Sequence, residues 1–133
     1  MKALNANIGR VLPHMARIPV CDNSGARILK VISVIGHKTR KGRASAAGIG
    51  DKIMASVISG KPDIRKQVVA AVIVRQKKEF KRPNGMRVKF EDNAAVVIKD
   101  DLGNPKGTMI KGPIAKEVAV RWPNVSKIAS III

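Results

Sequence analysis

VRQKKEFKRPNGMRVKFED, Val74–Asp92, decides how this chain is read. Seven of its residues are basic (Arg75, Lys77, Lys78, Lys81, Arg82, Arg87 and Lys89), against three acids, Glu79, Glu91 and Asp92. Pro83-Asn84-Gly85 at its centre is a strong turn signal: Pro presets φ, and Gly accepts a positive φ at no steric cost. After the turn, Met86-Arg87-Val88-Lys89-Phe90 alternates strictly, which predicts a half-buried strand with Met86, Val88 and Phe90 inward. Before it, Val68 to Val74 is an apolar run of strand length, rich in Val and Ile. The whole reads as a basic hairpin that outgrows a buried strand. Like charges on facing strands repel, so the arrangement is unfavourable in isolation. Against phosphates it becomes favourable, because each neutralised phosphate releases a condensed counterion.

The rest of the chain has the same bias. Its 133 residues are one domain's worth, and 45% are hydrophobic, enough for an ordinary core. Lys and Arg number 26 against 9 acids, a net charge of +17. A compact body so charged repels itself and is stabilised by a polyanion. Nucleic acid leads, and an anionic membrane is second. No apolar run approaches the roughly 18 residues that span a bilayer, and the N-terminus lacks a secretory signal's continuous apolar core. No membrane partner is expected. A single cysteine, Cys21, excludes an intramolecular disulfide and suits a reducing, cytoplasmic setting.

Further strands are expected at Met15 to Val20, Ile28 to Val34, Ile53 to Ile58 and Ala94 to Ile98, bounded mostly by Gly, Pro, Asn, Asp or Ser. Short strands at this spacing point to a mostly β fold, a small barrel or sandwich. The tail differs. Pro113 suits a first helical position, and Ile114, Ala115, Val118 and Ala119 recur at helical spacing. Pro123 interrupts, and Asn124 is placed to cap a second helical piece, Val125 to Ser130. Ile131-Ile132-Ile133 is too apolar to hang in water and should pack on the body or a partner.

A second basic cluster, GHKTRKGRASAAGIGD, sets His37, Lys38, Arg40, Lys41 and Arg43 among small residues. Gly and Ser let backbone approach a phosphate while long cations reach around it. Enzyme chemistry finds little support. Two histidines and one cysteine do not assemble a usual zinc site, no nucleophile is paired with a base, and no cofactor is expected. Asp100-Asp101-Leu102-Gly103-Asn104 and Asp51 read as turns rather than metal ligands. Aromatics are 2% of the chain, namely Phe80, Phe90 and Trp122, too few for a base-stacking single-strand reader. Contacts to backbone and shape should dominate, favouring folded, largely double-helical RNA, with DNA left open.

Ala71-Val72-Ile73-Val74, Asn84-Gly85, Phe90, Asn93 and Val96-Val97 match the signature of the universal large-subunit ribosomal protein L-fourteen family. Asp22 to Arg27, Ala47 to Asp51, Gly107-Thr108 and Gly112-Pro113 stand in the same order as in that family. The resemblance runs from about Met15 to the end. Residues 1–14 and Arg121-Trp122-Pro123 look like the archaeal and eukaryotic branch. The resemblance implies a five-stranded β-barrel with a projecting basic ribbon. It divides the chain into an N-terminal extension, 1–14, and one RNA-binding domain, 15–133, with a helical tail from about 113. It implies a structural, non-enzymatic role binding large-subunit rRNA and helping to form intersubunit bridges. The partners it implies are L-three among neighbouring ribosomal proteins, small-subunit rRNA, and initiation factor six. Carried onto this chain, the RNA-facing residues are Lys38, Arg40, Lys41, Arg43, Lys77, Lys78, Lys81 and Arg82, with Glu79 an acid inside the ribbon. The alternative is a free-standing architectural binder of DNA or messenger RNA.

Overall fold

The computed structural model describes residues 2–133. Its centre is a five-stranded antiparallel sheet in the order β2 (Arg17–Pro19), β3 (Ala26–Val34), β5 (Lys52–Gly60), β6 (Val68–Arg75) and β9 (Ala94–Ile98). In β3 the buried residues Ala26, Leu29, Val31 and Val34 are spaced three, two and three apart. Each three-residue step contains a register shift against β5, so bulges keep one apolar face inward where strict alternation would lose it.

That face forms one core with Ile18, Ala55, Val57, Ala71, Ile73, Ala95 and Val97. The opposite face of β6 and β9, with Val72, Val74, Val96 and Ile98, is covered by Ile110, Ile114, Val118, Trp122 and Val125. Burial on both faces explains why these two strands read as continuous apolar runs. The sheet curls until its edges meet at one point: Val20 bridges Ala95, and Cys21 N–H donates to the Ala95 carbonyl at 3.1 Å. No ladder joins β2 to β9, and among the described residues the expected barrel is not closed.

The expected ribbon is present but short and does not stand free. β7 (Phe80–Lys81) pairs with β8 (Arg87–Val88) through Phe80↔Val88 and Lys81↔Arg87 only. Gly85 takes the positive φ, +85°, that closes the turn. Phe80 is fully buried in the second core, and Asn7 N–H donates to the Lys81 carbonyl at 3.1 Å. The alternation expected from Met86 to Phe90 holds for Phe90 but fails for Met86, 63% exposed, because the paired segment ends before it.

The tail departs furthest from expectation. Pro113 lies in a strand, β10 (Ile110–Ile114), and the helix α1 (Lys116–Arg121) begins only after it. Pro123 instead opens α2 (Pro123–Ser126) as its first residue, and Asn124 is no cap: its amide donates to Asn104 Oδ1 at 2.9 Å. The chain then returns as β11 (Ala129–Ile132), parallel to β10 with Pro113↔Ile131 and Ile114↔Ile132. The two short helices are the crossover that a parallel pair requires. The last isoleucines are thus docked through their backbone, while their side chains stay about half exposed. Ahead of the sheet, β1 (Leu12–Pro13) pairs with β4 (Ala46–Ala47), and Leu12 is buried in the first core.

Candidate nucleic-acid interface

Sheet register brings the two basic clusters together. β3 ends where Val34 pairs with Ile53, β5 starts where Lys52 pairs with Val72, and β6 ends at Arg75. The loop leaving β3 and the ribbon leaving β6 therefore emerge at the same end of the sheet. Gln76, fully buried, joins them: its Oε1 accepts from Ile49 N–H at 3.1 Å and its Nε2 donates to the Lys78 carbonyl at 3.0 Å. A buried amide with both ends satisfied fixes the ribbon against the segment that follows the loop. Sequence reasoning missed Gln76, because nothing local marks a polar residue as buried.

In the loop, Lys38, Arg40, Lys41 and Arg43 are all exposed, and none lies within 4.0 Å of a described acid. Thr39 Oγ1 donates to the Arg43 carbonyl at 2.6 Å and draws the loop closed. Inside the bend is a cavity of about 440 Å³ lined by His37, Thr39, Arg40, Lys41, Arg43 and Ala44. The Arg10 guanidinium donates to His37 Nε2 at 2.8 Å, which leaves the neutral ring's proton on Nδ1. That Nδ1 is buried and has no partner.

On the ribbon, Lys77, Lys78 and Lys81 are exposed. Lys78 lies 3.4 Å from Glu79, an exposed pair that contributes little. A backbone N–H and then Lys78 hold the Glu79 carboxyl below its usual range, so it stays ionised within the cationic arm. Lys81 and Arg87 sit directly opposite one another, the like-charge pairing expected of this arm.

Arg82 is different. Its guanidinium makes two bonds to Glu117, 2.9 and 3.2 Å long, and donates to the Ile133 carbonyl at 2.6 Å. Its charge is spent inside the fold. So is that of Arg75, buried beside Asp92 at 2.9 Å and donating to the Lys111 and Pro113 carbonyls. Lys52 pairs with Asp101 and Arg121 with Asp51. The internal cations thus sit where acids are, while Lys38, Arg40, Lys41 and Arg43 of the loop and Lys77 and Lys81 of the ribbon are left to solvent.

The match to the family described as ribosomal protein L14p/L23e covers residues 11–133. The chain belongs to that family. Over all 133 residues of both chains it is 56% identical to large ribosomal subunit protein uL14 of Nanoarchaeum equitans and 53% identical to that of Halorubrum lacusprofundi. With the uL14 of Methanococcus maripaludis strain S2 it shares 52% identity over 132 residues, 99% of each chain. Membership in the L14 family bears out the resemblance read from the separated motifs, and these relatives are archaeal, the branch those motifs indicated. It also makes the chain a structural ribosomal protein and not an enzyme. No described helix is long and apolar enough to cross a membrane.

Proposed function

We propose that the chain is a structural constituent of the large ribosomal subunit that binds large-subunit rRNA through the loop-and-ribbon end of its sheet. One observation carries this reading. Two basic clusters roughly forty residues apart converge at one end, exposed and almost without acids, in a protein of net charge +17. Lys38, Arg40, Lys41, Arg43, Lys77, Lys78 and Lys81 are the phosphate contacts. Arg82 serves the same interface indirectly by holding the ribbon in place.

Partners other than large-subunit rRNA belong to this reading too. The half-exposed Ile131, Ile132 and Ile133, with Met109 and Val120 likewise exposed, favour a covering protein, since exposed apolar strands are usually covered in assemblies. Neighbouring ribosomal proteins including L-three, small-subunit rRNA at an intersubunit bridge, and initiation factor six are the proposed partners, in the cytoplasm. The meeting of Val20 and Ala95 supports viewing the curled sheet as a partly open barrel. The burial of Leu12 supports a single working unit in which the N-terminal extension, 1–14, acts together with the domain 15–133.

The test is sedimentation of cell extracts through a high-salt wash that strips loosely bound factors. Retention in large subunits is expected. Recovery mainly off ribosomes would instead favour a free-standing nucleic-acid binder.

A further inference from the structure

We propose that residues 2–10 form a strap that sets the basic loop and the ribbon at a fixed spacing, and that His37 is the positioning residue that latches it. The inference rests on the RNA-binding reading above and adds how the two clusters are held before RNA arrives. The strap has no regular structure of its own apart from one bridge to the ribbon, Asn7↔Lys81. Three residues later, Arg10 donates to His37 Nε2 at 2.8 Å, at the root of the loop. Val11 N–H then donates to the Ala47 carbonyl at 3.0 Å, where the far end of the loop enters β4. Two segments distant in sequence are thus tied to points about 10 Å apart along one short backbone.

Core packing does not account for this segment. Ala6 and Ile8 pack on the second core, but Lys2, Ala3, Asn5, Asn7, Gly9 and Arg10 are exposed. Close approach and polar contacts fix it instead. Gly48 lies directly beneath: a Cβ added there would meet the Gly9 carbonyl oxygen at 2.7 Å and Ile8 Cγ2 at 3.0 Å. The Lys2 carbonyl accepts from Arg121 Nε at 2.7 Å, and Arg121 Nη1 reaches Asp51 Oδ1 at 3.3 Å. Asp51 Oδ2 accepts from Gly48 N–H at 2.8 Å, which joins the strap's anchor to the backbone it lies on. Arg10 has no described acid within 4.0 Å, so its bond to the neutral His37 ring fixes its position without neutralising its charge.

A loop and a ribbon free to move independently must both be ordered when RNA binds, and that ordering is subtracted from affinity. Holding the two together beforehand removes part of the cost. The strap therefore acts through geometry and leaves the number of phosphates met unchanged. A salt titration separates these effects, because its log–log slope follows the phosphates neutralised.

The test uses H37A, which unlatches the strap, and G48A, which lifts it; neither removes a cation. Amide hydrogen exchange is measured on the free full-length chain, and binding to a large-subunit rRNA fragment is titrated across a range of salt. In both variants the Asn7 and Val11 amides are expected to lose protection while those of β5 and β6 keep it. RNA binding should weaken about tenfold, the ordering of roughly one long side chain, with the salt slope unchanged. H37Q, whose amide oxygen accepts from Arg10 but which offers no donor in place of Nδ1, should bind as wild type. Should G48A fail to fold, H37A decides alone. Full protection of Asn7 and Val11 in the variants overturns the strap, and lost protection with wild-type affinity overturns its role toward RNA. H37Q as weak as H37A overturns the latch, since His37 would then touch RNA directly. Failure of the underlying reading looks different: wild type itself would then bind the fragment without salt dependence or not at all.

Discussion

Arg82 grips Glu117 with two parallel hydrogen bonds, 2.9 and 3.2 Å, joining the ribbon to the helix α1 across 35 residues of sequence. Both side chains are largely buried, 16% and 9% exposed, so each charge depends on the other. Removing one partner strands the other in a poorly solvated place, whereas removing both does not. E117A and R82A are each expected to lose about 3 kcal/mol of stability. The double variant R82M/E117L should recover most of that loss. Urea denaturation followed by the fluorescence of Trp122, the only tryptophan, measures all three. Additive losses in the double variant would mean that the pair is not coupled.

Gly103 is held at φ +86°, and a Cβ there would lie 2.5 Å from Trp122 Cε3. Trp122 has nowhere to move, since its Nε1 donates to the Gly50 carbonyl at 2.8 Å in the second core. G103A should therefore cost about 3 kcal/mol, from the left-handed backbone plus overpacking. Gly42 separates the two causes. Its φ is +72° with nothing within 4 Å of an added Cβ, so G42A should cost only about 1 kcal/mol. Equal losses in the two variants, by the same urea assay, would remove the ring clash from the explanation.

Burial pushes the Cys21 thiol up from its ordinary 9.0 to about 11, with Arg75 opposing in part. The native thiol should resist a disulfide reagent at pH 8 and react once the chain is unfolded. The linkage has a definite sign. The unfolded thiol loses its proton near pH 9 while the folded one keeps it to about 11, so stability is full below 9 and falls between the two values. The loss is about 3 kcal/mol, and C21A should lack that component of the alkaline decline. Identical pH profiles for wild type and C21A would refute it.

Most of the β core was legible because its signals are local. Val68 to Val74 and Ala94 to Ile98 are β-branched or small apolar runs, and the structure keeps them nearly to the residue, as Val68–Arg75 and Ala94–Ile98. What escaped was everything that needs a partner distant in sequence. Ile131 to Ile133 carries no signal for β11, because a parallel strand is defined by the β10 it joins across a helical crossover. Pro113 reads as a helix start but lies in an extended segment whose carbonyl accepts from buried Arg75. Among the cations, charge alone does not separate Lys81, left to solvent, from Arg82, claimed by Glu117 one residue later. The distinction lies in which acids the fold delivers, and nine acids among 26 cations make most cations free by arithmetic but not by position.

The most direct measurement is the salt dependence of binding to a large-subunit rRNA fragment, comparing wild type with two variants. K38A/R40A/K41A/R43A and K77A/K78A/K81A are each expected to flatten the log–log slope by roughly 0.7 to 0.9 for every phosphate contact removed. R82A should leave the slope unchanged and lower stability instead. A slope identical in wild type and in both cluster variants would show that the cations converging at this end of the sheet do not meet RNA.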